Sequence, residues 1–226
     1  MLAERLITSR PPTLPGGGTV SFVSPWAHAY SERLRDREEG GTPNVIGDIR
    51  AALAMLAKEA LGVDWIVERQ AALRERALAV WRGNERIELL GQRNGAAALP
   101  IFSFRVRDGA GAHVHHQLFT RMLSDVHGVQ ARGGCACAGS YAHRLLGIDE
   151  AQSAALFDAI RDGREIEKPG WVRLNLSPLL SDAKADRIIA AVDALALEAA
   201  GRAEDYCADP ATARFAPVRR QRVEAW

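Results

Sequence analysis

Between residues 87 and 199, short β-rich segments alternate with longer segments whose apolar residues recur at helical spacing. Strands and helices differ in this period, which is two residues for a half-buried strand and about 3.6 for an amphipathic helix. The order along the chain is strand, strand, helix, strand, helix, strand, helix. It predicts a small antiparallel or mixed sheet that is covered by helices on one face. The predicted strands are 87–90, 101–106, 129–132 and 171–176, and the predicted helices are about 114–126, 149–162 and 181–199.

Two helices are predicted before this region. The first begins at Pro43 and is broken by Gly62, and the second occupies about 64–81. The apolar residues of the first helix fall on one stripe: Ile46, Ile49, Leu53 and Leu56. Residues 91–97 and 133–147 are predicted loops, and the chain from Gly201 onward is predicted to be polar and irregular.

The segment 37–44, Arg-Glu-Glu-Gly-Gly-Thr-Pro-Asn, opens the first of these helices. Thr42 is a suitable N-cap, and Pro43 suits the first helical position. Gly40 and Gly41 have no side chains, so a ligand or another backbone segment can come close. A helix N-terminus has free N–H groups and a partial positive charge, which favour an anion. The segment is therefore a candidate phosphate site, and the alternative is an ordinary capped helix.

Composition excludes several classes of protein. The chain has 226 residues, 47% of them hydrophobic, which is enough to build a core. A net charge of +1 argues against binding to nucleic acid or to an anionic membrane through charge. No apolar run is long enough to span a bilayer, and the first ten residues lack the apolar stretch of a signal peptide. Three cysteines do not form a disulfide framework, so we expect a cytoplasmic protein.

Four motifs occur in a fixed order: Gly-Gly-Gly-Thr-Val at 16–20, the segment 37–44, Arg-Gly-Gly-Cys-Ala-Cys at 132–137, and Trp-Val-Arg-Leu-Asn at 171–175. Together they resemble the C-terminal half of class V aminotransferases. This pyridoxal-phosphate (PLP) family includes cysteine desulfurases and selenocysteine lyases. The resemblance extends from about residue 12 to about residue 200. It implies the C-terminal part of the type I PLP-dependent transferase fold, namely the end of the large domain plus a small α+β domain.

The resemblance also implies a division of the chain. Residues 1–62 correspond to the C-terminal remnant of the large PLP domain, and 63–84 to a connecting helix. Residues 85–200 correspond to the small α+β domain, and 201–226 to a tail.

The Schiff-base lysine of the family has no counterpart in this sequence. In the family it stands in a Ser/Thr-x-His-Lys-like context upstream of the Gly-Gly-Gly-Thr-Val motif. Here Lys58, Lys168 and Lys184 are the only lysines, and all three follow that motif without the context. We therefore expect a C-terminal portion of an enzyme that is inactive alone and works as a homodimer or with an N-terminal half.

Two arginines are candidate substrate ligands. Alternation along the strand 171–176 puts Trp171 and Arg173 on one face, where a guanidinium could bind a carboxylate through two parallel hydrogen bonds or could simply face solvent. By resemblance Arg173 binds the α-carboxylate of an amino-acid substrate, and Arg132 lies near the mouth of the active site. The resemblance also assigns Gly41 and Thr42 to the PLP phosphate of the partner subunit.

Cysteine and histidine clusters offer further chemistry. By resemblance Cys137, five residues after Arg132, occupies the position of the sulfur-accepting cysteine of desulfurases. Cys135-Ala136 replaces the two histidines usual there, and a Cys-x-Cys pair could also bind a metal. The cluster His113, His115 and His116 could act in zinc or acid–base chemistry, but a capping or surface role suffices.

Three functions are compatible with these features. The first is a PLP-dependent enzyme, of aminotransferase or cysteine desulfurase type. The second is a non-catalytic remnant or interaction module. The third is a thiol or metal protein that uses Cys135 and Cys137.

Overall fold

The computed structural model describes residues 6–7, 11–91, 97–134 and 139–218. Its helices and strands fall into two units, Met1–Val63 and Asp64–Trp226. The predicted division of the chain into four parts remains a proposal.

The first unit contains one β-hairpin and two helices. Strand β1 (Val20–Val23) pairs antiparallel with β2 (His28–Tyr30). Helix α1 (Leu34–Glu38) is short, and α2 (Val45–Leu61) is the long helix predicted from its apolar stripe. The predicted helix is confirmed, but none of its residues is buried, including those of the apolar stripe.

The start of α2 differs from the prediction. Asn44, and not Thr42, is the N-cap, and its side-chain oxygen accepts a hydrogen bond from the Gly47 amide at 3.1 Å. Asparagine is among the best N-cap residues. The N-cap therefore lies two positions after Thr42, so Pro43 precedes the helix and does not occupy its first turn.

The second unit is a sheet packed against helices. Its elements, in chain order, are α3 (Val63–Trp81), β3 (Ile87–Leu90), β4 (Ile101–Arg107), β5 (His113–Val114), α4 (His116–His127), β6 (Arg132–Gly134), α5 (Gly139–Leu146), α6 (Glu150–Arg161), β7 (Trp171–Asn175), α7 (Asp182–Glu198), β8 (Tyr206–Asp209) and β9 (Arg214–Pro217). The main sheet has the order β3-β4-β7-β6, with every pair antiparallel, and β5 adds two residues beside β4. The predicted small antiparallel sheet is confirmed.

The main core lies on one face of this sheet. Phe102, Phe104 and Val172 project from the central strands β4 and β7 and are almost completely buried. They join residues of α3, α4 and α7 in one cluster, in which the Trp81 indole donates a hydrogen bond to the Ile189 carbonyl at 3.0 Å. Alternate side chains of these strands therefore face the main core. The side chains between them point to the opposite side of the sheet, which is called the second face below.

Helix α5 covers part of the second face, contrary to the prediction of helices on one face only. Ala142 of α5 packs with Leu90 and Trp171 in a separate buried cluster. Residues 133–147 were predicted to be a loop, which is wrong for residues 139–146. The glycines that flank this segment favour a loop interpretation, but its apolar residues Ala142, Leu145 and Leu146 lie at helical spacing.

The end of the chain is also more regular than predicted. Strands β8 and β9 form an antiparallel hairpin where irregular structure was expected. Tyr206 and Phe215 pack against the main core, and the Tyr206 hydroxyl donates to Asp125 at 3.3 Å. Asp209 holds the turn by accepting hydrogen bonds from the Ala211 amide and the Thr212 hydroxyl. Two apolar anchors within a polar segment are too weak a signal to predict this hairpin from the sequence.

The strand predicted at 129–132 is shifted towards the C-terminus. Gly128 ends α4 in the left-handed conformation, and Val129 is buried in the main core as part of the connection. Pairing with β7 begins only at Arg132, so β6 contains the Arg-Gly-Gly part of the motif.

Candidate functional site

Arg132 and Arg173 are direct neighbours across the β6–β7 pair. Their Cα atoms are partners in the register, and Ser103 of β4 stands on the other side of Arg173. Directly opposed residues in an antiparallel pair have Cβ atoms about 4.5–5.5 Å apart. Arg173 is half-buried and Arg132 is exposed. The structure therefore brings together the two arginines that the sequence singled out 41 positions apart.

Neither arginine has a carboxylate partner among the described residues. Within the part of the chain that the structure describes, no ion pair or hydrogen bond is made by the guanidinium of Arg132 or of Arg173. Like charges placed directly opposite each other on a sheet are destabilising. An anion between them removes this repulsion, because a guanidinium binds a carboxylate with two parallel hydrogen bonds.

The other end of the same face is charge-compensated. Glu88 accepts a hydrogen bond from Arg105 at 2.7 Å and contacts His113 Nε2 at 2.8 Å. Burial opposes the charged form of Glu88, but these two hydrogen bonds hold the pKa of its carboxyl below the usual value. At this end Arg105 is therefore ion-paired, whereas Arg132 and Arg173 have no ion pair with a described residue.

Trp171 supports this end of the face. Its side chain is on the same side of β7 as Arg173, and only 3% of the residue is exposed. Its indole N–H is buried without a hydrogen-bond partner in the described residues. A buried donor of this kind is unusual, because unpaired buried polar groups cost free energy. The sequence placed Trp171 correctly but offered no sign of the unpaired donor.

Glycines hold β6 in position through close packing. A Cβ atom on Gly133 would come within 2.9 Å of the His116 carbonyl oxygen, and one on Gly170 within 2.7 Å of the Gly134 backbone. The Gln117 side chain also donates to the Gly133 carbonyl at 3.3 Å. Gly134 has a φ of 121°, a backbone conformation that favours glycine. The role of Gly170 was not predicted, because its contacts come from distant segments.

In the first unit, the two glycine motifs pack against each other. The Gly41 amide donates to the Gly17 carbonyl at 2.8 Å, and a Cβ atom on Gly40 would come within 2.8 Å of the Leu14 carbonyl oxygen. Thr19 closes the upstream motif, donating its hydroxyl to the Gly16 carbonyl at 2.7 Å. The close approach that the glycines allow is therefore used by the backbone itself.

This packing changes the predicted phosphate site. The Gly41 amide is occupied, and the Val45, Gly47 and Asp48 amides at the start of α2 also have partners within the segment. The site therefore differs from a helix N-terminus with free amides. The exposed Thr42 hydroxyl makes no hydrogen bond with a described residue and can contact a phosphate.

The lysines test how far the chain fits PLP. Lys58, Lys168 and Lys184 are all exposed, on α2, directly after the short 3₁₀ segment that precedes β7, and on α7. A lysine that forms a Schiff base is normally desolvated or beside another cation, so that its neutral form is available. None of the three fits that role.

His115, the middle residue of the histidine cluster, has a structural role. His115 caps α4: its Nδ1 accepts from the Gln117 amide at 3.2 Å, so Nε2 carries the proton and donates to the Ile166 carbonyl at 3.1 Å. Burial lowers the pKa of His115, although the bond to Ile166 opposes this. His116 stacks on His115 with ring centres 4.3 Å apart, and burial lowers its pKa to about 4. The predicted capping role is confirmed for His115.

Cys135 and Cys137 lie outside the described residues. Cys207 is exposed on β8, and its thiol donates to the Ala216 carbonyl at 3.4 Å. In the described ranges, no group of three His, Cys, Asp or Glu residues could hold a metal ion. No helix there is both long and apolar enough to cross a membrane.

Residues 1–161 match the family described as aminotransferase class-V, and the chain belongs to this family. No curated protein sequence matches the chain significantly.

Two solved structures share the fold. The cysteine desulfurase of Thermococcus onnurineus NA1 is 25% identical, with a TM-score of 0.62 over 82% of this chain. The cysteine desulfurase CsdA of Escherichia coli is 23% identical, with a TM-score of 0.56 over 83% of this chain. The match covers 39% of the length of each desulfurase. The predicted fold class, a C-terminal part of the type I PLP fold, is confirmed.

Proposed function

We propose that this chain supplies the substrate-binding and phosphate-contacting part of a PLP-dependent enzyme acting on a small amino acid, of aminotransferase or cysteine desulfurase type. The observation that carries the proposal is the pair Arg132–Arg173, two directly opposed arginines with no ion pair among the described residues. Family membership supports an amino acid as the ligand.

Arg173 binds the α-carboxylate of the substrate. Its strand is central in the sheet and half-buries the side chain, which limits the number of orientations of the guanidinium. Trp171 fills the space beside it and packs against α5. Arg132, on the edge strand and exposed, adds positive charge at the entrance and assists capture of the anion.

Gly41 and Thr42 form the phosphate side of the cofactor site, in a homodimer or with an N-terminal half. Gly41 fixes the turn through its bond to Gly17, and Thr42 donates its hydroxyl to a phosphate oxygen. PLP, when bound, serves as the electron sink for chemistry at the amino acid. The attachment lysine comes from a segment with no counterpart in this sequence.

Cys137 separates the two reaction types. In a desulfurase it accepts sulfur as a thiolate, for which the nearby charge of Arg132 is favourable. In an aminotransferase it has no role in the reaction.

A second candidate function rests on α2. A helix of 17 residues with an exposed apolar stripe and no buried residue is suited to binding another polypeptide. In this alternative the chain is a non-catalytic remnant or an interaction module, and its arginine pair has no substrate.

The decisive experiment is co-expression of the chain with an N-terminal half that carries the lysine, followed by turnover assays on a panel of amino acids. Arg173→Ala should lower kcat/KM by about 30- to 5,000-fold, which corresponds to roughly 2–5 kcal/mol of transition-state stabilisation, because it removes a charged contact to the substrate. Arg187→Ala, which removes an exposed arginine on α7, is the control and should have no effect.

The other outcomes discriminate among the functions. Unchanged turnover in Arg173→Ala would refute the substrate role. If Cys137→Ser abolishes cysteine turnover but spares PLP binding, the desulfurase type is correct. Association without turnover of any amino acid would favour the interaction module.

A further inference from the structure

A cavity of about 570 Å³ lies in the second unit, between the second face of the sheet and α6. This volume is within the range of small-molecule sites, about 300–1,000 Å³. Its wall comes from β4, β5, the start of α4, α6 and the segment that leads into β7. Neither arginine of the proposed substrate site lines it, so it is a different site from the one described above.

The interior of the cavity is mostly apolar. Aliphatic side chains from four separate segments contribute to it: Val114, Leu146, Ile148, Leu156 and Ile166. Several of them are only partly buried. An apolar ligand would remove this surface from water, which is worth roughly 25 cal/mol per Å².

Among the polar groups of the wall, His116 is available to a ligand. His116 lines the cavity, and its ring nitrogens make no hydrogen bond with a described residue. Its neighbour His115 is fully engaged by Gln117 and Ile166. His116 can therefore offer one donor or one acceptor to a ligand without losing an existing contact.

The charged groups of the wall are predominantly positive. Arg105 and Lys168 line the cavity, against the single carboxylate of Glu167. Each has a partner of opposite charge, because Arg105 binds Glu88, Lys168 contacts Glu165 at 3.2 Å, and Glu167 contacts Arg164 at 3.8 Å. Glu88 is also shared with Arg107 at 3.7 Å, so two guanidinium groups face this one carboxylate.

We propose that this cavity binds a small amphipathic carboxylate, with an aliphatic or aromatic body in the apolar interior and its head group at the Lys168 and Arg105 side. The aliphatic lining selects the body, and the excess of positive charge selects the head group. His116 receives a polar substituent of the ligand or a bridging water.

The proposal is tested on the full chain with octanoate as the probe and octanol as its uncharged counterpart. Isoleucine methyl groups are observed by NMR during titration and are assigned by Ile→Val variants. Octanoate should shift the methyl signals of Ile148 and Ile166 saturably and leave those of Ile46 and Ile49 on α2 unchanged. Octanol should bind several-fold more weakly.

Two pairs of variants locate the ligand. Ala155→Trp fills the cavity from an exposed position of α6 and should abolish the shifts, whereas Ala151→Trp on the same helix lines no part of it and should preserve them. Lys168→Met should weaken octanoate by about 2- to 5-fold and leave octanol unchanged, and Lys184→Met is its control.

Several results would overturn the proposal. Absence of shifts at Ile148 and Ile166 would mean that the cavity holds only solvent. Shifts that survive Ala155→Trp would place the ligand elsewhere. Equal affinity for octanoate and octanol would refute the carboxylate head group.

Discussion

Arg132 and Arg173 are of interest because no carboxylate of the described residues binds either of them. Many other arginines of the chain, such as Arg69 and Arg105, bind a carboxylate at 2.7 Å. The pair on β6 and β7 has no such partner among the described residues, although the two guanidinium groups belong to directly opposed residues. A bound carboxylate is the simplest way to offset their repulsion.

The buried ring of His116 predicts that the free energy of unfolding depends on pH. Its pKa is about 4 in the folded chain and about 6.5 in an unfolded one. Burying the neutral ring therefore leaves the free energy of unfolding at its full value above pH 6.5. This free energy decreases as the pH falls from 6.5 to 4, because the unfolded chain then binds a proton that the folded chain excludes. The shift corresponds to at most about 3 kcal/mol.

The measurement is urea unfolding at pH 7.0, 5.5 and 4.5. His116→Gln should flatten the decrease in unfolding free energy across this interval, because the buried ionisable ring is gone. His127→Gln, at the other end of α4, is the control and should leave the decrease as it is. Identical pH dependence in His116→Gln and the unmodified chain would contradict this account.

At the scale of elements, β6 depends on backbone contacts that only glycine permits. Gly170→Ala should destabilise the second unit by about 1–3 kcal/mol, because its Cβ would meet the Gly134 backbone at 2.7 Å. Thermal unfolding of the variant measures the loss. Gly139→Ala at the start of α5 meets nothing within 4 Å and should be neutral or slightly stabilising.

The same substitution should also impair the site. A displaced β6 moves Arg132 away from Arg173, so Gly170→Ala should weaken carboxylate capture in the reconstituted enzyme more than its loss of stability explains. If Gly170→Ala and Gly139→Ala unfold at the same temperature, the close packing does not constrain β6.

At the scale of the whole molecule, the exposed apolar stripe of α2 predicts self-association of the isolated chain. Ile46, Leu53 and Leu56 are each more than half exposed. Contiguous apolar surface of this kind marks a contact site or an aggregation hazard. Size-exclusion chromatography with light scattering should find oligomers, and Leu53→Lys should reduce them.

Glu59→Lys, on the same helix, is the control for the change in charge and should not reduce association. A monomer with one sharp cooperative melt would contradict the prediction.

The isolated chain is also predicted not to retain PLP covalently. Its three lysines are exposed and lack the desolvated setting that a Schiff base requires. After mixing with PLP and removal of the excess, the chain should have no visible absorption band from a lysine-bound cofactor. A stoichiometric band that disappears on mutation of Lys58, Lys168 or Lys184 would overturn this prediction.

The local periods of the sequence determined most of the secondary structure. Residues 102–106 alternate between apolar and polar side chains and 87–90 are mostly apolar, and the structure has strands in both places. A helix was predicted over about 149–162, and Asp149 caps the observed helix through a capping box with Gln152. These features depend on contacts within a few residues, which a sequence displays directly. The order of the four motifs was sufficient to indicate the family.

Tertiary structure decided what depends on distant segments. Helix α5 and the β8–β9 hairpin are short, and they are stabilised by packing against Trp171 and the main core rather than by a strong local period. The N-cap of α2 is Asn44 and not Thr42, and the preceding Gly41 is hydrogen-bonded to the upstream motif. The register that sets Arg132 beside Arg173 joins strands about 40 residues apart, and no local pattern encodes it. The sequence indicated Arg132 and Arg173 as candidate site residues. Only the pairing of β6 with β7 showed that they are neighbours.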